Sequence, residues 1–564
     1  MSHRRAGLAL LATSWTCAPG LAQQATAPPT ASPASAVSAV SEVFTLGLVQ
    51  VTTSDVYEGE LETSALRRLI NATHWTTREA VIHREIWHET GDLVDTKFAE
   101  ELERNLRATG LFADVTVKLV PSSDPDAAPG VRNLQVRTRD RLSIGGGAGA
   151  SFVGDATSGS ASLSESNLFG MGDRLRFSYS ENDFGETRGQ VGYRDRYVAG
   201  TWTTANAVAG RNEEGNFFGL SFDRPFRFLE DRFAWNVSAT TTAFDQDYFL
   251  SNSTVAEVPI DFSRFEASAR WRSGTRMNYW TRGLAARYTD YEYGAARGPF
   301  APSIRVPGDT EVVFAGGTLS WANLSEFREV THIDTLQFVQ DVRIGTTAVL
   351  EAGALLRSED AGGSALPGDS SAGESTQPSV SARLGRILAI GESRFASAAF
   401  SGAVRTRGGD ATGWRTDVNL RAFDQTWRPH TLGLAVSYTE ADETENLPIQ
   451  LTLGERTGLR GYPNREFVGQ RLVRINLEDR IDLDAHLRSL DFGAVVFFDT
   501  AWIGSRGDSL EGPFSSAGVG LRIGSTPLLG RGVARIDLSF PFDDANGESF
   551  EPLLSLTVGQ VFTL

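Results

Sequence analysis

From about residue 141 onward, apolar and polar side chains alternate in runs separated by clusters of Gly, Asp, Asn and Ser. In one such run, Leu175, Phe177 and Tyr179 alternate with arginine and serine. A period of two places successive side chains on opposite faces of a β-strand. The charged face would be very costly in a dry sandwich core, but it suits a water-filled lumen. The pattern predicts an all-β transmembrane antiparallel β-barrel over residues 140–564.

The hydropathy of the chain agrees with a barrel. Mean hydropathy is only -0.20, as expected where alternate side chains face lipid. After the N-terminus there is no apolar run of the roughly 18 residues or more that mark a transmembrane helix. The alternating runs indicate about five strands after the loop near residue 460 and about eleven to fifteen before it, so the upper total is about twenty strands.

The N-terminus has the pattern of a secretory signal peptide, residues 1–22, with early arginines, a short apolar run and small residues before the cleavage site. Residues 23–42 are rich in Ala, Pro and Ser and predict a flexible linker. Cys17, the single cysteine, lies in the signal segment, so we expect a mature chain without disulfides. The net charge of -17 argues against nucleic acid as a partner.

Residues 43–139 combine both periodicities and predict one compact α+β domain. Thr76 and Glu79 have the spacing of a capping box, which predicts a helix running to about His88. Asp95 is placed to cap a second helix. Alternating apolar residues predict one strand before these helices and two after them, in the order β-α-α-β-β.

A short motif lies about a hundred residues before the C-terminus. It consists of Leu459, Arg460, Gly461 and Tyr462. Glu478 and Asp499 follow on the first and second predicted strands after it, and both face the lumen if Leu477 and Phe498 face outward. A guanidinium binds a carboxylate through two parallel hydrogen bonds, and such a pair is stronger away from water. The spacing would allow the loop to fold back so that Arg460 meets both acids; the alternative is a solvated extracellular loop.

The two ends of the predicted barrel are rich in glycine. The first strand carries Gly145, Gly146 and Gly147, and the last carries Gly559 and Phe562. Glycine lacks a side chain to pack and weakens a strand, so we expect a weak seam where these strands meet. The glycine run is not a nucleotide site, because no helix follows it.

The loop motif and its two acids resemble the BamA/TamA-type outer-membrane protein assembly family. In that family a loop carrying (Val/Ile)-Arg-Gly-(Phe/Tyr) tucks into the barrel, and its arginine meets acids on the next two strands. Leu459 stands here for the usual β-branched residue, and Ala501 for the usual glycine. Similarity in sequence to a POTRA domain is found in three segments, Asn71–His74, Thr77–Ile82 and Glu103–Arg107. The resemblance implies sixteen strands in a Gram-negative outer membrane, with a single POTRA domain in the periplasm.

The resemblance also implies a function. Such a protein inserts or translocates polypeptides without an energy source, with the POTRA domain holding the incoming chain and the seam acting as a lateral gate. The implied partners are unfolded outer-membrane or secreted polypeptides, membrane lipid and lipopolysaccharide; a periplasmic or inner-membrane accessory protein stays open. Two alternatives stay open as well: an export pore similar to two-partner secretion transporters, and a barrel without transport activity.

No catalytic set is evident in the sequence, and we expect no enzyme. There is no Gly-x-Ser-x-Gly elbow. His83 and His88 are five residues apart and face different sides of the predicted helix, which does not suit a metal site. We therefore expect neither a metal nor a cofactor.

Overall fold

The computed structural model describes residues 42–56, 74–153, 156–182, 185–336, 340–360, 373–407, 409–442, 447–487, 490–524, 533–542, 551–558 and 560–564. These residues form an N-terminal α+β domain and a large closed β-barrel. The predicted signal peptide, almost all of the linker and Gly559 lie outside the described residues.

The N-terminal domain is a four-stranded sheet packed against helices. In chain order its elements are β1 Val43–Ser54, α1 Glu79–Glu85, β2 Leu93–Asp95, α2 Thr96–Ala108, β3 Phe112–Pro121 and β4 Val131–Asp140. The sheet order is β2-β1-β4-β3, with β1 and β4 parallel and the other neighbours antiparallel. The short strand β2 between the two helices was not expected from the sequence.

Helix α2 follows the sequence prediction closely. The Asp95 side chain caps it by accepting a hydrogen bond from the backbone N–H of Phe98 at 2.9 Å. Phe98, Leu102 and Leu106 then fall on one face and are fully buried against the sheet. Gly110 follows with φ of 73°, the left-handed conformation that often ends a helix. Among the described residues, neither helix is long and apolar enough to cross a membrane.

Helix α1 departs from the prediction at both ends. It begins at Glu79 without a side-chain cap and ends at Glu85, so the predicted capping box at Thr76 does not form. The preceding segment is held extended by contacts from elsewhere: the backbone N–H of Thr77 donates to Asp140 at 2.6 Å, and that of Arg78 donates to the carbonyl of Gly170 at 3.0 Å. Tertiary hydrogen bonds thus override the local capping preference.

Within the described residues, twenty strands close into one antiparallel barrel. Sixteen strands, the number implied by the family resemblance, is too few; the upper sequence estimate of about twenty matches the structure. Five of the strands follow the loop, as predicted. The strands, with two short strands of the loop in chain order, are β5 Ile144–Val153, β6 Ala156–Leu168, β7 Asp173–Glu181, β8 Thr187–Asp195, β9 Thr204–Arg211, β10 Asn216–Arg224, β11 Phe233–Leu250, β12 Ser253–Gly274, β13 Asn278–Tyr293, β14 Thr310–Val330, β15 Gln340–Glu359, β16 Gly373–Ile390, β17 Arg394–Arg407, β18 Asp410–Asp424, β19 His430–Ala441, β20 Leu451–Leu453, β21 Phe467–Gly469, β22 Arg471–Leu487, β23 Leu490–Gly504, β24 Glu511–Gly524, β25 Val533–Pro541 and β26 Leu553–Val558.

The barrel has its apolar side chains outside and its charges inside. On β25, Arg535 and Asp537 are buried in the lumen, whereas Leu538 between Asp537 and Ser539 is exposed on the outer wall. The outer wall carries many other exposed large apolar side chains, among them Phe177, Leu284, Leu384, Phe400, Leu477, Phe498, Val519 and Leu554. So large an apolar exterior is unfavourable in water and is expected where the wall faces lipid. The protein is a transmembrane β-barrel of the outer-membrane type.

The N-terminal domain packs directly on the turns at one end of the barrel. Trp87, just after α1, stacks on Phe228 of the turn between β10 and β11, with ring centroids 4.4 Å apart. The carboxylate of Glu101 on α2 accepts a hydrogen bond from the backbone N–H of Leu229 in the same turn. Burial raises the pKa of Glu101 above its usual value of 4.5. Tyr197 of the turn between β8 and β9 joins the core of the domain.

Candidate functional site

The loop between β19 and β22 folds back into the barrel. Strands β20 and β21 form a small hairpin within it, pairing Leu451 with Gly469. A 3₁₀ turn, Glu455–Thr457, follows β20. Gly458 and Gly461 both have φ of 91°, a left-handed conformation that favours glycine. The two glycines reverse the chain on either side of Arg460 and direct it to the barrel wall.

Arg460 is fully buried and pairs with both predicted acids. Its Nε and Nη2 donate to the two carboxylate oxygens of Asp499 at 2.6 and 2.8 Å, the bidentate geometry of a strong charge-assisted pair. Its Nη1 lies 2.7 Å from Glu478 Oε1 as an ion pair without hydrogen-bond alignment. The guanidinium also lies over the ring of Phe497, 3.5 Å from the centroid. The structure therefore brings together the three residues that the sequence singled out.

Strand parity places the two acids as the sequence predicted. Leu477 is 49% exposed and Phe498 is 37% exposed on the outer wall, so their neighbours Glu478 and Asp499 face the lumen. Asn476, directly opposite Asp499, donates to it at 2.7 Å. The same Asn476 side-chain amide donates to the carbonyl of Gly458 at 2.7 Å. Asn476 was not singled out from the sequence, although it lies at the same parity as Glu478.

Apolar packing holds the rest of the motif. Leu459 and Tyr462 are buried in a cluster with Phe467 and the methyl group of Ala501. Ala501 is accommodated at zero exposure. Tyr462 donates its hydroxyl to the carbonyl of Ser515 on β24 at 3.0 Å. All four motif residues contribute to seating the loop.

The Arg460 pairs belong to a larger buried network of ionic groups. Its other members face the lumen on neighbouring strands or lie in the loop; they are Glu455, Arg480, Arg522, Arg535 and Asp537. Arg480 donates to Glu478 at 2.7 Å, and Arg522 pairs with Asp537. A buried charge is very costly unless paired, so each member constrains the positions of the others. Sequence reasoning missed these five residues, although Arg535 and Asp537 alternate with apolar residues in the sequence of β25.

The first and last barrel strands, which were predicted to form the seam, meet at residues other than the predicted glycines. In the described part of the chain, β26 and β5 share two residue pairs, Ser555 with Val153 and Leu556 with Phe152. Gly145, Gly146 and Gly147 were predicted at the seam; they pair with β6, and neither seam pair includes them. The reason is register: the strands meet only at the C-terminal end of β5. Gly559 lies outside the described residues.

Phe562 was predicted to end the last strand at the seam, and this is wrong. Strand β26 ends at Val558, and the tail then enters the lumen. Phe562 is buried against Phe423 with ring centroids 5.7 Å apart, and its carbonyl accepts from Arg480 at 2.8 Å. Leu564 donates its backbone N–H to Asp334 at 2.8 Å. Side chains that face the lumen therefore hold the tail away from the barrel wall.

Across the part of the chain that the structure describes, no three or more His, Cys, Asp or Glu side chains are grouped so as to hold a metal ion. The acids near Arg460 are neutralised by arginines. The arrangement can fix a loop and the tail inside a barrel, and it presents a weakly paired seam beside them.

Comparison with known proteins gives a remote likeness to other barrels. No family model and no curated protein matches the chain. Among solved structures, it is similar to BamA from Haemophilus ducreyi lacking POTRA domains 1–3, with a TM-score of 0.41 and 12% identity over 91% of this chain and 84% of that one. It is similar to CdiB from Acinetobacter baumannii, with a TM-score of 0.42 and 10% identity over 91% of this chain and 74% of that one. CdiB from Escherichia coli gives a TM-score of 0.43 and 10% identity over 91% and 76%. BamA is one of the two proteins that name the family the sequence resembles; at these scores, the assignment of the fold rests on the strand pairing itself.

Proposed function

We propose that this protein inserts or translocates polypeptides at the outer membrane through a lateral seam between β5 and β26. It acts without an energy source or cofactor, and the N-terminal domain serves as a POTRA-like receiver in the periplasm. Its substrates are unfolded outer-membrane or secreted polypeptides.

The observation that carries the proposal is the contrast between the seam and its neighbours. Within the described residues the seam has two residue pairs, whereas β25 and β26 share six and β5 and β6 share ten. Backbone hydrogen bonds of the ladder hold neighbouring strands together. The seam is therefore the place where the wall separates at least cost, and separated edges can accept a substrate strand by β-augmentation.

The contents of the lumen favour the seam over a path through the pore. The Arg460 loop is anchored to β23 by a buried bidentate ion pair, and the tail with Phe562 is anchored from within the lumen. An export pore of the two-partner-secretion kind would have to displace both. Opening the seam leaves the Arg460 pairs in place.

The N-terminal domain is suited to receive an extended chain. Strand β3, at the edge of the sheet, pairs with β4 on its inner side. An edge strand presents backbone groups to which another chain can add. The domain packs on the barrel turns through Trp87 and Phe228, so a chain bound there lies close to the barrel.

The test is reconstitution. The purified protein in liposomes is mixed with a denatured outer-membrane barrel as client, and insertion is followed by protease resistance and heat-dependent gel mobility of the client. The proposal predicts faster insertion than in liposomes without the protein. Passage of a secreted polypeptide into the liposome lumen without client insertion would instead identify an export pore. Absence of both activities would leave a barrel without transport function.

A further inference from the structure

Two consecutive residues of the loop contact opposite sides of the seam. Glu455, which is 1% exposed, accepts a hydrogen bond from the hydroxyl of Ser555 on β26 at 2.8 Å. Arg456 donates through Nη2 to the hydroxyl of Ser158 on β6 at 2.5 Å. Both loop residues belong to the 3₁₀ turn Glu455–Thr457. The loop therefore bridges the last strand and the first hairpin of the barrel.

Holding β6 also holds β5. The two strands share ten residue pairs, and Ser158 lies opposite Ser151. The next residue along β5, Phe152, makes one of the two seam pairs. Because β5 and β6 form a well-paired hairpin, a bond from the loop to Ser158 restrains the edge of β5 at the position where it meets β26.

The turn that carries these two residues is itself fixed. The backbone N–H of Gly454 donates to the Thr457 hydroxyl at 2.8 Å, and that of Arg456 donates to Asn464 at 3.1 Å. Four residues further on, Arg460 joins the chain to β23 through Asp499. Glu455 and Arg456 thus hold the two sides of the seam from a rigid support.

We propose that Glu455 and Arg456 form a clasp that keeps the seam closed, and that the Arg456–Ser158 bond breaks first when it opens. The two halves differ in their surroundings. The Glu455–Ser555 bond is buried, whereas the Arg456 side chain is exposed. Water competes for an exposed bond, so it is the weaker half. The order in which the bonds break during opening rests on the proposed function. The clasp itself concerns the closed barrel and does not depend on that function.

The experiment measures amide hydrogen exchange at the seam residues 152–153 and 555–556 in the purified full-length protein. Exchange through seam opening rises in proportion to the equilibrium population of the open form. Ser158→Ala should raise it up to about fivefold, the factor expected for an exposed bond to a charged group, and Arg456→Ala should raise it at least as much. In the Arg456→Ala background, Ser158→Ala should cause no further rise, because the bond between these two side chains is already lost.

Two control variants keep the result specific. Ser158→Thr retains a hydroxyl on a strand-compatible side chain and should exchange like the wild type. Arg506→Ala removes an exposed arginine that pairs with Asp442 away from the seam, and it should leave exchange at the seam unchanged. Unchanged exchange in both Arg456→Ala and Ser158→Ala overturns the clasp, as does an increase in Arg456→Ala alone or an equal increase in Arg506→Ala.

Client insertion by the same variants separates the clasp from the function. If seam exchange rises and insertion responds, both proposals stand. If seam exchange rises and no variant, nor the wild type, inserts a client, the clasp stands and the proposed function fails. If exchange is unchanged while the wild type inserts clients, the function stands and the clasp fails.

Discussion

Replacing Arg460 with alanine removes the central cation of the lumen network. The change deletes the two hydrogen bonds to Asp499 and the ion pair to Glu478, at 2.6 to 2.8 Å. Asp499 then still accepts a hydrogen bond from the Asn476 amide, and Glu478 still accepts one from Arg480. Removing one partner of a buried pair typically costs about 3–5 kcal/mol, because the remaining charge stays buried.

The loss of stability should affect the loop more than the barrel wall, because the hydrogen bonds that pair the twenty strands do not involve Arg460. We expect Arg460→Ala to keep the compact gel mobility of a folded barrel, to lose it at a lower temperature than the wild type, and to expose residues 447–470 to protease. Arg460→Lys should be intermediate, since lysine keeps the charge but not the bidentate geometry. Arg394→Ala is the matched control: Arg394 is 51% exposed and pairs with Asp424 at 2.9 Å, a kind of pair worth about 1 kcal/mol or less.

A double-mutant cycle decides whether the pairing is responsible. Arg460→Ala and Asp499→Ala remove the same interaction, so the double variant should be clearly more stable than the sum of the two losses implies. Additivity within about 0.5 kcal/mol would mean that the two residues act independently, and the account of the site would be wrong.

Three further predictions concern the loop, the tail and the domain. Gly461→Ala should destabilise the loop by about 1 kcal/mol or more, because φ is 91° and a Cβ would lie 3.2 Å from that of Ser516; unchanged protease resistance of the loop would contradict this. Phe562→Ala should release the tail from Phe423, detected as faster exchange at residues 560–564, and wild-type exchange there would show that the ring does not anchor it. The raised pKa of Glu101 means that its carboxyl binds protons more tightly in the docked domain; docking should weaken as pH rises from 4.5 through the raised pKa, and Glu101→Gln should remove that component from the pH profile of domain proteolysis.

Much of the barrel could be predicted because its signals are local. Alternation determines which face of each strand is apolar, and the parity of Leu477 and Phe498 alone placed Glu478 and Asp499 in the lumen. The position of the loop was implied by the resemblance of Leu459–Tyr462 and the two acids to the family motif. These features depend on residues that are close together in the sequence, so they can be predicted without knowledge of the whole fold.

The errors concern contacts between distant parts of the chain. The register of β26 against β5 depends on closure of the whole barrel, so alternation could not show that Phe152, rather than Gly145–Gly147, meets the last strand. Phe562 continues the apolar alternation of β26, yet Arg480 and Phe423 draw it into the lumen. Likewise, the hydrogen bond from Thr77 to Asp140 keeps Thr77 extended, so the capping box does not form although the sequence has its residue types at the right spacing.

The central claim is that substrates pass through the seam, and locking the seam tests it most directly. In a Cys17→Ser background, Phe152→Cys and Leu556→Cys introduce thiols at a pair of opposed residues, whose α-carbons are within the roughly 7 Å that a disulfide can span. Leu477→Cys with Phe498→Cys is a matched control, an opposed outward pair away from the seam. We predict that oxidation of the seam pair stops client insertion and reduction restores it, while the control pair inserts clients in both states. Full insertion by a barrel whose seam disulfide has been verified would contradict the account.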